Sequence, residues 1–266
     1  MTRLQHTFAA LRRSGRCGLA TYFAAGDPDP GACLELLRGL PAAGADVIEL
    51  GMPFSDPVAD GPVLQQANRR ALAAGQTLAG TLALLREFRS GHEATPVVLM
   101  GYLNPILRYG AAAFAADAAA AGVDGLIVVD LPPEHAGELE RHARAHGIDL
   151  IRMSAPTTDD ERLARALREA SGFVYHVMLA GTTGASLPDE RRIAQDLARV
   201  RAHTRLPVAA GFGVRSPEDA RRIGRHADLV AVGSRLAEVL AQGGVKAALE
   251  EVRGLAAALR RPAAQA

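Results

Sequence analysis

The chain has 266 residues, is 48% hydrophobic, lacks tryptophan and carries a formal net charge of +1. That balance excludes the electrostatic footprint of a nucleic-acid or anionic-membrane binder, and no run approaches the roughly 20 apolar residues of a membrane span. Two cysteines, Cys17 and Cys33, in so long a chain fit a reducing compartment without structural disulfides, so a cytoplasmic protein is expected.

Arg3, Arg12, Arg13 and Arg16 precede the first acid, Asp27, a composition shared with organelle transit peptides. Leu4, Phe8 and Leu11 nevertheless fall at i, i+4 and i+7 on one helical face. Residues 1–16 therefore read as a helix lying across the end of the fold that follows, with no room for a cleavage site. Strand-like runs then recur at about residues 18–24, 46–50, 97–101, 125–130, 148–153, 172–178, 206–210 and 228–232, separated by Ala/Leu/Arg stretches of helical period. Between the second and third runs, helices are predicted near 62–74 and 78–90, with Gly75 as the break and Pro62 in the first turn. The segments Ala43-Gly44-Ala45-Asp46, Ala121-Gly122-Val123-Asp124 and His146-Gly147-Ile148-Asp149 repeat a helix-ending glycine followed by an aspartate that opens a strand. Strands alternating with helices pair in parallel through right-handed crossovers, and eight such units close into a (β/α)8 TIM barrel. The expected organisation is one barrel domain over 1–266, frayed from about residue 260.

Barrel chemistry sits on the loops after the strands. The informative loop is Gly51-Met-Pro-Phe-Ser-Asp-Pro-Val-Ala-Asp-Gly-Pro62, reached from Val47-Ile48-Glu49-Leu50. Glu49 is a carboxylate inside a buried strand, where ionisation without a partner costs several kcal/mol or raises the pKa. Asp60 arrives eleven residues later, so two carboxylates can face one pocket, one as acid and the other ionised. Asp60 also reads as an N-cap for the helix after Pro62, Tyr175 as a barrel-facing tyrosine with a satisfied hydroxyl, and Met100 as core. Gly211-Phe212-Gly213, with Ser216 as N-cap and Pro217 at the first helical position, pairs with Gly233-Ser234. Two such loops after the seventh and eighth strands match a phosphate site, and Ser216 in place of a third glycine argues against a dinucleotide fingerprint. His135, Glu138, His142 and His146 fall on one helical face and imitate a metal cluster, but they read as a solvated face, and no metal is predicted.

From Glu49 to Pro62 the chain resembles the signature of the tryptophan synthase alpha subunit family. Ala25-Gly-Asp-Pro28, Gly101-Tyr-Leu-Asn-Pro105, Asp130-Leu-Pro132, Tyr175, Gly181-Thr-Thr-Gly184, Gly211-Phe-Gly213 and Gly233-Ser234 follow in order, so the resemblance covers essentially the whole chain. It implies a lyase that splits indole-3-glycerol phosphate into indole and glyceraldehyde 3-phosphate. It also implies an alpha2-beta2 assembly in which only the beta subunit carries pyridoxal phosphate, with no cofactor in this chain. By the same resemblance, Glu49 transfers protons, Asp60 accepts the indole N–H, and Tyr175 and Thr183 support it. Tyr22, Met100, Tyr102, Val129 and Phe212 wall the ring, and Gly184, Gly213, Gly233 and Ser234 hold the phosphate. Partner contact falls on Pro53 to Asp56, Asn104 and Asp130. Two other readings are a stand-alone lyase releasing free indole and a catalytically idle paralogue serving as a binding subunit. The chain departs from the family at Thr21-Tyr22, where Pro-Phe or Pro-Tyr is usual. It departs again at Met178-Leu179-Ala180-Gly181-Thr182, which removes polar character from the start of the sixth loop while retaining Thr183 and Gly184.

Overall fold

A computed structural model describes residues 1–178, 188–211 and 213–260. The strands are β1 (Gly18–Ala24), β2 (Val47–Gly51), β3 (Val97–Gly101), β4 (Gly125–Val128), β5 (Asp149–Leu150), β6 (Arg152–Ser154), β7 (Val174–Val177), β8 (Val208–Gly211) and β9 (Leu229–Val232). All pair in parallel, in the order β5-β4-β3-β2-β1-β9-β8-β7-β6. β5 and β6 are two parts of one strand interrupted only at Ile151, whose N–H still donates to the Leu126 carbonyl at 2.9 Å. The segments thus make eight barrel strands, as the alternation of the sequence predicts. β4 is shorter than its apolar run, since only the Val129 N–H continues the ladder, to the Gly101 carbonyl.

The helices are α1 (Arg3–Ser14), α2 (Pro30–Ala43), α3 (Pro62–Ala73), α4 (Leu78–Arg89), α5 (Leu103–Tyr109), α6 (Ala111–Ala120), α7 (Gly137–Ala145), α8 (Asp160–Arg168), α9 (Glu190–Ala202), α10 (Pro217–Gly224) and α11 (Ser234–Arg260), the last bent at Gly244. The repeated glycines Gly44, Gly122 and Gly147 have φ of 108°, 84° and 71°, the left-handed geometry that ends a helix. The aspartates after the first two have a second task. Asp46 accepts from the Leu19 N–H at 3.0 Å and Asp124 from the Val97 N–H at 2.8 Å, and Asp228 does the same for Val208. Each carboxylate closes an amide at the base of a neighbouring strand.

Side chains alternate between two apolar layers. Ala20, Val47, Val98, Ile127, Ile151, Phe173, Ala209 and Leu229 fill the barrel interior, while the opposite faces of the strands pack against the helices. α1 plugs the N-terminal end: Leu4, Phe8 and Leu11 are buried with the interior cluster, and the Phe8 and Phe173 rings stand 5.7 Å apart. The predicted helix across the barrel end is therefore present, opened by a Thr2/Gln5 capping box. The predicted His/Glu face is not continuous. His135 ends a 3-10 turn (Pro133–His135), because Pro132 and Pro133 delay the α-helix until Gly137, and His146 is the C-cap of α7. Among the described residues no group of three or more His, Cys, Asp or Glu is placed to hold a metal ion, and no helix is long and apolar enough to cross a membrane.

Candidate active site

Glu49 lies in β2 between Tyr22 of β1 and Val98 of β3 in register, and all three point into the barrel. Its residue exposure is 0%, and neither carboxylate oxygen has a hydrogen-bond partner among the described residues. Burial pushes its pKa up to about 8. At neutral pH the group is thus mainly a neutral acid that can deliver a proton and, once ionised, is driven to recover one.

Asp60 sits on the loop between β2 and α3. The cap of α3 is Gly61, without a side-chain cap, so the N-cap reading of Asp60 is set aside. Its carboxylate instead receives the Asn68 amide at 3.4 Å, and the Asp60 carbonyl accepts from the Gln65 side chain at 3.0 Å. Burial raises its pKa to about 6, against the lowering effect of hydrogen bonds from Tyr102 and Asn68. The Tyr102 hydroxyl also accepts the Ala59 N–H at 3.0 Å, and the Phe54 and Tyr102 rings lie 5.3 Å apart. The loop is held from both sides, by Tyr102 just after β3 and by Gln65 and Asn68 of α3. The two carboxylates therefore differ in kind: Glu49 is held neutral in an apolar wall, and Asp60 remains largely ionised at pH 7.

Tyr22 and Tyr175 line the same interior and are buried. After burial, the nearest charges raising the Tyr22 hydroxyl well above its ordinary range include Asp60 and Glu49, and Glu49 acts likewise on Tyr175. Their hydroxyls are accommodated by missing side chains. A Cβ on Gly51 would stand 2.6 Å from the Tyr22 oxygen, and one on Gly211 would overlap the Tyr175 oxygen. Gly51 and Gly211, at the ends of their strands, thus serve close packing. Met100 and Tyr102 are buried, and Val129 packs at the margin of the interior cluster with Met153, a wall residue that sequence reasoning missed.

On the other side of the barrel mouth, Gly213 follows β8 and Gly233 follows β9. Ser216 caps α10 by accepting the Asp219 N–H at 3.1 Å, with Pro217 in the first turn, as the sequence predicts. Gly233 lies against the Tyr22 ring, and Ser234 opens α11, whose first amides precede any helix bond. Thr183, Gly184, Phe212 and the departing segment 179–182 lie outside the described residues.

The residues expected to face a partner gather at one rim. Asp56, Asn104 and Asp130 are exposed, whereas Pro53 is buried at the base of a cleft shared with Phe54, Ser55, Asn104 and Arg108. Asp130 accepts the Leu103 N–H at 2.8 Å, so the loop after β4 is tied to the start of α5 beside Asn104. Two large apolar side chains, Val58 at 78% and Leu107 at 54%, are exposed in the same loop and helix.

Residues 8–263 match the family described as tryptophan synthase alpha chain. Among solved structures, tryptophan synthase subunit alpha from Legionella pneumophila str. Paris is 37% identical with a TM-score of 0.91, covering 97% of this chain and 98% of its own. A chain of Mycobacterium tuberculosis tryptophan synthase is 37% identical with a TM-score of 0.90 over 98% and 99%. A chain from Aquifex aeolicus VF5 is 34% identical with a TM-score of 0.91 over 98% and 100%. With the family matched over nearly its full length and the barrel in place, the chain belongs to the tryptophan synthase alpha chain family and is a lyase-type alpha subunit of tryptophan biosynthesis.

Proposed function

We propose that the chain cleaves indole-3-glycerol phosphate to indole and glyceraldehyde 3-phosphate. The observation that carries this reading is Glu49, a fully buried carboxyl held at about 8 beside two tyrosines, one of which, Tyr22, feels the charge of Asp60 as well. Neutral Glu49 gives its proton to indole C3. The resulting carboxylate removes the proton of the adjacent side-chain hydroxyl, the C–C bond breaks, its electron pair restores the aromatic ring, and the aldehyde forms. Protons balance, and Glu49 returns to its neutral state. Asp60 accepts the indole N–H and stabilises the positive charge that develops there, with Tyr175 and Thr183 in support. Tyr22, Met100, Tyr102, Val129 and Phe212 enclose the ring. Backbone amides at Gly184, Gly213 and Gly233, with Ser234, hold the phosphate at the start of α11.

The partner is a beta subunit carrying the pyridoxal phosphate, in an alpha2-beta2 assembly that docks on Pro53 to Asp56, Asn104 and Asp130. Exposed Val58 and Leu107 beside these residues support that face. The free thiols of Cys17 and Cys33, both buried, suit a reducing cytoplasm. The test is steady-state indole release by the purified chain with and without a cognate beta subunit. Slow release that rises strongly with the partner supports the proposal. Fast release by the chain alone would mean a free-standing lyase, and none in either case an idle paralogue.

A further inference from the structure

Asn68 is a polar residue on the apolar face of α3, beside Leu64, Ala67 and Ala71, and it is 2% exposed. Its amide oxygen accepts the Phe54 N–H at 3.0 Å, and its amide nitrogen donates to the Leu64 carbonyl at 2.8 Å and to the Asp60 carboxylate at 3.4 Å. The orientation is fixed by its neighbours, because the Phe54 N–H can only donate and the Leu64 carbonyl can only accept. Both donors and the acceptor are therefore committed. Two of the three bonds are short, and the arm to Asp60 is the long one. The helix carrying it is anchored independently: Arg70 makes two bonds to the buried Asp27 carboxylate in the turn after β1, at 2.7 and 2.9 Å. The helix is thus tied to the turn after β1, and the same amide holds the loop at Phe54 on one side and at Asp60 on the other.

Resting on the functional reading above, we propose that Asn68 is a positioning residue that couples the Phe54 backbone, inside the partner-facing segment, to the carboxylate of Asp60. Displacement of Phe54 by a docked partner turns the amide about its Leu64 anchor and shortens the long arm. Hydrogen bonds of catalytic groups are often long in the unliganded protein and tighten in the substrate or transition-state complex. A shorter bond favours the ionised form of Asp60, the form that accepts the indole N–H. In this scheme the partner acts on the lyase site through one side chain, without reaching the substrate.

The test compares the parent chain with N68A and N68S, each alone and with the beta subunit, by indole release across pH 5 to 8. In the parent, the acid limb of kcat/KM moves down by about half to one pH unit when the partner docks. In the variants the limb starts higher and does not move, activation by the partner falls by about fivefold or more, and kcat changes more than KM. A residue that merely fills space would lower the melting temperature and leave the limb and the activation ratio alone. Parental pH profiles and activation in a folded variant overturn the proposal. If neither variant folds, the parent decides, since an acid limb unmoved by the partner overturns it equally. A parent that releases no indole removes the functional reading, and this one with it.

Discussion

Replacing Glu49 by glutamine should raise stability while abolishing turnover, and the size of the gain follows from the pocket. The folded-state pKa is about 8 against the ordinary 4.5. Between those values the unfolded chain has lost this proton and the folded chain keeps it, so stability falls as pH rises, by about 1.4 kcal/mol per pH unit. The penalty is absent below pH 4.5 and complete above pH 8, where it amounts to roughly 5 kcal/mol. Because Glu49 is fully buried, solvent screening does not reduce this appreciably. Glutamine keeps the shape and never ionises, so the difference between variant and parent should be near zero at pH 4.5 and widen to about 4 to 5 kcal/mol at pH 8.5. For a chain of this size that is on the order of 10 °C in melting temperature. Thermal unfolding of both proteins at half-unit pH intervals measures it, and taking the difference cancels every other titrating group. A difference that stays flat from pH 4.5 to 8.5 would refute the buried-acid account. In parallel, indole release by the glutamine variant should fall by at least about a thousandfold with substrate binding retained.

Asp60→Asn should lose at least about a hundredfold in kcat, and the parent's kcat/KM should fall below a pH near 6, because the ionised form that accepts the indole N–H is lost there. Gly211→Ala places a methyl on the Tyr175 hydroxyl and should destabilise the fold by about 1 to 3 kcal/mol, read by denaturation, while displacing the ring and slowing turnover. Phe8→Ala opens the plug at the opposite end of the barrel, at a cost of about 3 to 5 kcal/mol in stability, with kcat unchanged well below the new melting temperature. Asp27→Asn leaves Arg70 with half its partner and should loosen α3, seen as faster amide exchange through residues 62–73.

Much of this protein is determined by sequence alone, because the signals are local. The alternation of apolar runs with helical periods specifies the eight-stranded barrel, since each run is too short and too apolar to be stable except as a buried parallel strand. The glycine-aspartate repeat marks where helices end, because a left-handed residue is a property of one position and needs no knowledge of its surroundings. Glu49 is legible for a similar reason: a carboxylate within Val-Ile-Glu-Leu has no structural role to fill. Tertiary structure alone decides what depends on residues far apart in the chain. Asp60 could be read as a helix cap until the fold turned it to Asn68 and Tyr102. Asn68 is a polar residue in the apolar stripe of α3 that sequence reasoning passed over, since its meaning depends on Phe54 fourteen residues before it. Gly211 reads in sequence as part of a phosphate-binding loop, and only the fold shows that the missing side chain is the space the Tyr175 hydroxyl occupies. The pKa of Glu49 belongs to the same class. The residue is chosen locally, but the barrel that closes around it, with strands contributed from every part of the chain, excludes the water that would have kept it an ordinary carboxylate.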